Sequence, residues 1–259
     1  MPLVDKHAPG NICWLELATT DPSAAKTFYN ALFGWSARDV PTSAGLYIRF
    51  QLQGRPAGGC FTMNPEELAR GIPTHWHPYV AVESADASAA RVAELDGRVI
   101  EAPSDIPQAG RIALIRDPTG AFFSLFEPGQ HAGLGIAGEP GAFCWADLIT
   151  RDPERAKHFY SGLFGWQVTA GQNDDYLHIR NRETFIGGIP PVRFQGPNTV
   201  PHWLIYFSVV DVDQTAAKAQ NLGGKVYTAP MDIEHVGRMA ILGDPQGAAF
   251  AIFRETGAR

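Results

Sequence analysis

The chain contains two copies of one sequence pattern, and this internal repeat constrains its fold more than any other feature. Residues 14–35 read WLELATTDPSAAKTFYNALFGW, residues 145–166 read WADLITRDPERAKHFYSGLFGW, and 13 of the 22 aligned positions are identical. A second block, residues 75–127, is identical to residues 202–254 at 23 of 53 positions. Self-similarity at a fixed offset is the signature of repeated structural units. We therefore predict two halves with the same fold.

The segment between the two copies is rich in glycine and proline, which is typical of a linker. We predict a domain at 10–128, a linker at 129–140 and a second domain at 141–255. A chain of about 120 residues can bury roughly two-thirds of the surface that it exposes when unfolded. The apolar share of 45% is ordinary for globular proteins. Each half is thus long enough and apolar enough to form a hydrophobic core.

Each half shows the same order of elements, namely a strand, a helix and several short strands, repeated twice. Alternating apolar residues over 12–19 predict a strand. The Asp-Pro pair at 21–22 predicts the start of a helix, and Gly34 predicts its end. In the second unit of each half we expect the helix to begin at Asp86 and at Asp213. Four such units account for the whole chain.

Composition excludes several partners and compartments. The formal net charge is −6, and the 21 Lys and Arg residues form no run or basic face, so we expect no nucleic-acid partner. No stretch approaches 18 apolar residues, which argues against a membrane span. The first twenty residues contain no apolar signal core, and three cysteines are too few for a disulfide scaffold. We expect a cytoplasmic protein.

The pattern TxDPxxAKxFYxxLFGW and the ending GR…DPxGxxF in both halves resemble the vicinal oxygen chelate superfamily, also called glyoxalase/bleomycin resistance/dioxygenase. The resemblance covers nearly all of both halves and extends to two-domain actinobacterial members labelled glyoxalase-like or hydroxylase. It implies an α+β fold in which four βαβββ units form two cup-shaped partial barrels. Single-domain members often dimerise to complete their sheets. Because the tandem copy supplies that partner here, we expect a monomer.

Metal-dependent members of the family take about four His, Glu or Gln ligands from fixed strand positions. The resemblance places these positions at Trp14, Gly59, His77 and Ser124 in half one and at Trp145, Gly188, Leu204 and Ala251 in half two. Only His77 is a suitable donor, so we expect no metal and no other cofactor. His75 and His77 share a strand face, which makes a divalent metal near His77 the alternative.

Strand alternation predicts which side chains face the two cups. They are Trp14, Glu16, His75, His77, Tyr79 and Ser124 in half one, and Trp145, Asp147 and Tyr206 in half two. Aromatic rings with a few polar groups are typical of small-molecule sites. We expect the ligand in half one, because His77 and Ser124 add polar contacts there. The candidates for proton transfer are Glu16, His77, Tyr79 and Asp147.

A buried carboxylate needs a partner, and arginines are the first candidates for Glu16 and Asp147. Arg111 and Arg238 follow a glycine at the start of a strand in both halves. A guanidinium can clamp a carboxylate, or an oxygen of a ligand, with two parallel hydrogen bonds. The alternative is a structural ion pair with the aspartate six residues before each arginine.

The first interpretation is a glyoxalase/bleomycin-resistance-like protein that binds an aromatic or apolar small molecule in a metal-free cup. It is then either a binder or a metal-independent enzyme. One alternative is a metal-dependent lyase, isomerase or dioxygenase of the same superfamily. Another is a non-catalytic protein whose cups are filled by side chains and which acts through its surface. Metal analysis separates the first two, and the shape of the cups decides the third.

Overall fold

The computed structural model describes residues 6–42, 45–171, 175–196 and 198–256. The strands are β1 (Ile12–Thr19), β2 (Ser36–Thr42), β3 (Gly45–Leu52), β4 (Arg55–Thr62), β5 (His75–Ala81), β6 (Arg98–Ile106), β7 (Gly110–Arg116), β8 (Phe122–Pro128), β9 (Phe143–Ile149), β10 (Gln167–Ala170), β11 (Leu177–Asn181), β12 (Thr184–Ile189), β13 (His202–Ser208), β14 (Lys225–Ile233), β15 (Gly237–Gly243) and β16 (Ala249–Glu255). The helices are α1 (Pro22–Phe33), α2 (Pro65–Ala69), α3 (Ala85–Val92), α4 (Pro153–Phe164) and α5 (Val212–Asn221). Within these ranges no helix is long and apolar enough to cross a membrane.

The strands form two eight-stranded mixed sheets with the same topology. Sheet one has the order β2-β3-β4-β1-β5-β8-β7-β6, and sheet two has the order β10-β11-β12-β9-β13-β16-β15-β14. In sheet one, β1 is parallel to β4 and antiparallel to β5, and β5 is parallel to β8. Each sheet is open and consists of two βαβββ units. The predicted α+β fold with tandem copies is therefore confirmed. Half one denotes the chain up to the end of β8, and half two denotes β9 onwards.

Local sequence fixes the first helix of half one as predicted. The Asp21 side chain accepts a hydrogen bond from the backbone N–H of Ala24 at 3.0 Å, and proline occupies the first turn. Gly34 ends the helix with φ of 73°, in the left-handed region that glycine adopts without strain. The same three features begin and end α4 in half two.

The expected starts of the second helix in each half are wrong. Ser84, not Asp86, caps α3 by accepting a hydrogen bond from the N–H of Ala87. In half two, Asp211 rather than Asp213 caps α5. A serine or an aspartate two residues earlier offers an equally good cap, and the displaced aspartates have other partners, described below.

The hydrophobic core lies between the two sheets and is shared by both halves. Phe33 at the end of α1 packs against Phe207 of β13, with ring centroids 5.0 Å apart. Phe28 of α1 lies 6.3 Å from Phe250 of β16. The reciprocal contact joins Phe159 of α4 to Phe123 of β8 at 6.1 Å. Each first helix therefore packs against the opposite half as well as its own.

Buried hydrogen bonds also connect each first helix to the opposite half. The Tyr29 hydroxyl of α1 donates to Asp244 of half two at 3.2 Å and accepts from the Trp76 indole at 3.0 Å. In the reciprocal arrangement, Tyr160 of α4 donates to Asp117 of half one at 3.0 Å. Both aspartates lie in the DPxG turns of the repeat. A buried polar group stabilises a fold only when it is paired, so these turns help to fix the position of one half against the other.

The segment 129–140 lies along half one. The N–H of Leu134 donates to the Cys13 carbonyl at 2.7 Å, and the N–H of Gly135 donates to the Pro56 carbonyl at 2.8 Å. Leu134 and Ile136 are buried. The segment thus fills the gap beside β1 and β4, while its assignment as a linker between domains at 10–128 and 141–255 stays a prediction.

Candidate functional site

The carboxylate of Glu16 lies at the centre of a set of aromatic hydrogen-bond donors. The Tyr79 hydroxyl donates to Oε2 at 2.5 Å. The Tyr47 hydroxyl donates to Oε1 at 2.7 Å, and the Trp14 indole donates to the same oxygen at 3.2 Å. Three donors satisfy the carboxylate without a cation.

Strand register brings these side chains to one face of sheet one. Glu16 is opposite His77, and Trp14 is opposite Tyr79, on the antiparallel β1–β5 pair. Tyr79 is in turn opposite Ser124 on β8. Helix α1 packs against the other face, where Tyr29 contacts Trp76, which alternates with His77. We call the face with Glu16, Tyr79 and Ser124 cup one, and the equivalent face of sheet two cup two.

A glycine makes room for Tyr47, which the sequence analysis did not identify. On β4, Gly59 is opposite Glu16 and also opposite Arg49 of β3. A Cβ atom at position 59 would collide with the hydroxyl and ring of Tyr47. Because this position lacks a side chain, the phenol of Tyr47 lies across β4 and reaches the carboxylate.

In cup one a row of polar side chains extends from Glu16 to a histidine. His77 Nε2 lies 2.9 Å from the Ser124 hydroxyl, and Ser124 is opposite Tyr79 on the neighbouring strand, close enough to act on the pKa of that phenol. Tyr79 in turn donates to Glu16. Such a row of polar groups can reorient its hydrogens when a polar ligand atom binds beside it.

Cup two has an equivalent carboxylate but lacks the further polar side chains of cup one. Asp147 accepts from Tyr206 at 2.7 Å, from Tyr176 at 2.5 Å and from the Trp145 indole at 3.1 Å. A Cβ atom at Gly188 would collide with Tyr176, so the glycine has the same role as in cup one. The hydrogen bonds of cup two extend no further than Tyr206, because the positions equivalent to His77 and Ser124 are apolar. Leu204, Tyr206, Met239 and Ala251 form a small apolar cluster.

Burial determines the protonation behaviour of both cups. It raises the pKa of Glu16 and of Asp147 above the usual carboxyl range, and the hydroxyl and indole donors oppose that shift. Burial and the neighbouring His75 lower the pKa of His77 to about 3. Burial, followed by the adjacent carboxylate, raises the pKa of Tyr79 and of Tyr206 well above the usual phenol range. At neutral pH His77 is neutral and both tyrosines keep their protons.

A histidine from the segment 129–140 covers the indole of cup one. The ring of His131 packs edge-on against Trp14, with centroids 4.6 Å apart. Trp14 is buried, whereas its counterpart Trp145 in cup two is only half-buried. In the portion of half two that the structure describes, no ring contacts Trp145 in this way. The two cups therefore differ in how much of their indole a ligand could reach.

The expected pairing of the carboxylates with arginines is wrong. Arg111 donates to both carboxylate oxygens of Asp86, at 2.7 and 3.0 Å, and to Asp105 at 3.0 Å. Arg238 forms the same set of bonds with the Asp213 and Asp232 side chains. Each arginine ties the start of a helix to the edge of its sheet, on the face where helices pack. The structural alternative is what the contacts show, since neither arginine reaches Glu16 or Asp147.

The other predicted site residues fall into two groups. The first group faces the cups as the alternation predicts. The structure brings together Trp14, Glu16, His77, Tyr79 and Ser124 in cup one and Trp145, Asp147 and Tyr206 in cup two. His75 lies on the same face at the start of β5, where its Nδ1 bonds to the Pro73 carbonyl at 2.9 Å, outside the carboxylate network. Their roles in binding or catalysis stay predictions.

The comparisons with known proteins agree with this architecture. Residues 11–125 match the family model described as Glyoxalase/Bleomycin resistance protein/Dioxygenase superfamily, and residues 144–253 match the one described as Glyoxalase-like domain. CFP32 of Mycobacterium tuberculosis, which carries the name glyoxylase, is 38% identical over 98% of both chains. DauV of Streptomyces sp. (strain C5), an anthracycline biosynthesis protein by name, is 34% identical over 95% of this chain and 94% of its own. The chain belongs to the glyoxalase/bleomycin resistance/dioxygenase, or vicinal oxygen chelate, superfamily.

A solved structure with the same fold holds a metal. The Mn(II)-bound glyoxalase from Novosphingobium aromaticivorans aligns with a TM-score of 0.65 and 17% identity, over 95% of this chain and 82% of that one. At this identity the likeness shows the fold alone.

The residues of this chain do not fit the metal that the family implies. At the four positions of cup one, the indole of Trp14 and the Cβ-less Gly59 supply no ligand, and His77 Nε2 is bonded to Ser124. Cup two has Leu204 and Ala251 at the last two positions. In the described ranges no three His, Cys, Asp or Glu side chains converge in a metal-binding arrangement. The absence of a metal cofactor stays a prediction.

Proposed function

We propose that this protein binds an aromatic, largely apolar small molecule in cup one, without a metal. The observation that carries the proposal is the Glu16 carboxyl held by Tyr47, Tyr79 and Trp14 on the face of sheet one opposite α1. Aromatic surface supplies contact area with little loss of conformational entropy, and the few polar groups orient the ligand.

The charge state of the site suits a ligand with hydroxyl or carbonyl groups. Because the pKa of Glu16 is raised by burial, this carboxyl can hold a proton closer to neutral pH than an exposed one. His77 is neutral and lies with Nε2 against Ser124, so one of its ring nitrogens donates and the other accepts. Cup one thus offers a donor and an acceptor beside Glu16.

The relative DauV supports a polycyclic aromatic ligand class, since its name places it in anthracycline biosynthesis. Anthracyclines combine a flat, fused-ring body with hydroxyl and quinone oxygens. A ligand of this kind would match the aromatic and polar groups of cup one. We propose the same class, and not the same compound, for this protein.

A metal-independent enzyme is the second candidate, and the row of polar side chains from His77 to Glu16 favours it. Proton transfer to or from a bound ligand needs an acid or a base within hydrogen-bond reach. Glu16, whose pKa burial raises, would exchange a proton with the ligand, while His77, whose pKa is lowered to about 3, would stay neutral and orient the ligand. In cup two Asp147 lacks this row, so we place proton transfer in cup one.

The test is calorimetric titration of the full chain with 1,8-dihydroxyanthraquinone. We expect one binding site, weakened by Trp14→Phe and by Glu16→Gln. The matched variants in cup two, Trp145→Phe and Asp147→Asn, should leave the affinity within twofold. Unchanged affinity in the folded cup one variants, or no binding at all, would reject the assignment. Either result would support the alternative in which side chains fill the cups and the protein acts through its surface.

Elemental analysis of protein purified without chelators tests the metal-free part of the proposal. We expect well under one divalent metal per chain. A stoichiometric metal lost in the His77→Ala variant would instead support the metal-dependent lyase, isomerase or dioxygenase.

The setting that we propose is a monomer in the cytoplasm, with no nucleic-acid or membrane partner. The shared core between the two sheets supports it, because each half already covers the helices of the other. Light scattering should give the mass of one chain, and twice that mass would contradict the monomer.

A further inference from the structure

Two hydrogen-bond donors beside cup one lack an acceptor in the part of the chain that the structure describes. Arg49 Nε and His131 Nε2 are buried, and neither has a hydrogen-bond partner among the residues that the structure describes. An unpaired buried donor destabilises a fold, and most such groups in native proteins are paired. Two in one place point to an acceptor that binds from outside the chain.

The tautomer of His131 follows from its other nitrogen. The N–H of Gly133 donates to Nδ1 at 3.0 Å, so Nδ1 carries the lone pair and the proton of the neutral ring lies on Nε2. Burial, with smaller effects from Arg49 and His7, lowers the pKa of His131 to about 4. At neutral pH the ring is therefore uncharged and Nε2–H is a donor.

Both donors border the carboxylate network. His131 packs against the indole of Trp14. Arg49 follows Tyr47 by two residues on β3, so both side chains lie on the same face, and the Arg49 charge acts on the pKa of Tyr47 and of His131. No ion pair of Arg49 occurs within the described ranges, and the oxygens of Glu16 already accept from three aromatic donors.

We propose that the ligand of cup one carries an anionic oxygen, an aromatic carboxylate, which accepts hydrogen bonds from Arg49 Nε and His131 Nε2. This assignment rests on the proposed function and adds the polar end of the ligand to it. A guanidinium without a carboxylate partner favours an anion over a neutral carbonyl, since charge-assisted hydrogen bonds are stronger.

Cup two lacks this pair. His178 occupies the position of Arg49 in the repeat, two residues after Tyr176. The segment 129–140 places His131 against Trp14 of cup one, and no ring of the described residues packs against Trp145 in this way. The anion site therefore belongs to one half.

The experiment compares two probes of one shape on the full chain, anthraquinone-2-carboxylate and 2-(hydroxymethyl)anthraquinone. We expect the wild-type protein to bind the carboxylate at least about tenfold more tightly, as for hydrogen bonds to charged groups. Arg49→Gln and His131→Phe should each reduce that preference, and the double variant should abolish it. His178→Ala is the matched control in cup two and should preserve the preference.

Melting temperature separates a binding role from a structural one. Removing an unpaired donor should leave the melting temperature of Arg49→Gln unchanged or higher without ligand. A lower melting temperature with an intact probe preference would overturn the inference. Equal binding of both probes to the wild type would overturn it alone and preserve the proposed function. Failure of both probes to bind would reject the proposed function, and this inference with it.

Discussion

Cup one and cup two hold their carboxylates in the same way and surround them differently. In both, two phenols and an indole donate to a carboxylate on the first strand of the half. In both, a glycine on the neighbouring strand makes room for one of the phenols. The surroundings differ at four places, which are His77, Ser124, Arg49 and His131 in cup one and Leu204, Ala251, His178 and no described counterpart in cup two.

This difference separates what the fold needs from what a ligand needs. The shared network pairs a buried carboxylate in each sheet, and a buried charge without partners is costly, so both halves need their donors for stability. The residues that differ add donors, an acceptor and a covering ring to cup one only. We infer that the repeat keeps a common structural network and that half one carries the recognition chemistry.

The largest expected effect tests whether the halves are equivalent in the core. Phe250 and Phe123 occupy matching positions, are fully buried and pack against the first helix of the opposite half. Replacing either with alanine should lower the free energy of unfolding by about 3–5 kcal/mol, measured by urea denaturation. If one variant lost less than half as much as the other, the core would be less symmetric than the contacts indicate.

The second prediction concerns the two indoles. Trp14→Ala should weaken binding of 1,8-dihydroxyanthraquinone at least about thirtyfold, or about 2 kcal/mol, because it removes the indole that donates to Glu16 and supports His131 at the centre of the site. Trp145→Ala should leave the affinity within twofold, measured by calorimetry. Trp14→Phe, which opens a smaller cavity, controls for unfolding. Equal losses from both alanine variants would show that both cups bind.

The third prediction uses pH to test the common network. A raised carboxyl pKa means that the folded state keeps a proton that the unfolded state has released. Glu16 therefore contributes stability that is fully present below its usual pKa of about 4.3 and is lost as pH rises through the raised value. The stability of the wild type relative to Glu16→Gln should fall as pH rises above 4, measured by urea denaturation.

The matched variant Asp147→Asn should show a fall of the same sign, because burial also raises the pKa of Asp147. Opposite signs in the two cups would mean that the carboxylates are not held alike. A flat difference in both would mean that the aromatic donors fully offset the effect of burial.

The smallest expected effect comes from copying cup two into cup one. The double variant His77→Leu, Ser124→Ala replaces both partners of one buried hydrogen bond, which changes stability by less than about 1 kcal/mol. Binding of 1,8-dihydroxyanthraquinone should weaken about fivefold, in keeping with the loss of one hydrogen bond. A larger loss of affinity would give His77 a central role.

Much of the fold could be predicted from the sequence because the repeat states it twice. The strand at 12–19 and the helix between Asp21 and Gly34 appear with the predicted limits. Alternation along β1 and β5 placed Glu16 and Tyr79 on one face correctly, since neighbouring strands in register preserve the period of two.

The rest of the site depends on contacts between distant segments. Tyr47 reaches Glu16 only across Gly59, and the recurrence of both residues in the repeat, as Tyr176 and Gly188, was the signal that could have revealed it. His131 covers Trp14 because a segment without regular structure returns along half one. Arg111 donates to Asp86 at the start of α3 rather than to Glu16 in the cup. Such choices depend on tertiary geometry that no local pattern encodes.

The phenol that lies across Gly59 also limits how this protein could change over evolutionary time. The family resemblance assigns a metal-ligand position of metal-dependent members to Gly59, and here a side chain at that position would collide with Tyr47. Acquiring a ligand at 59 first would push the phenol away from Glu16, while losing the phenol first would remove a donor from a buried carboxyl. Neither order is neutral, so substitutions at 47 and 59 must compensate each other. We therefore expect either single substitution between a metal-dependent and an aromatic-lined cup to give a less stable protein than the two substitutions together.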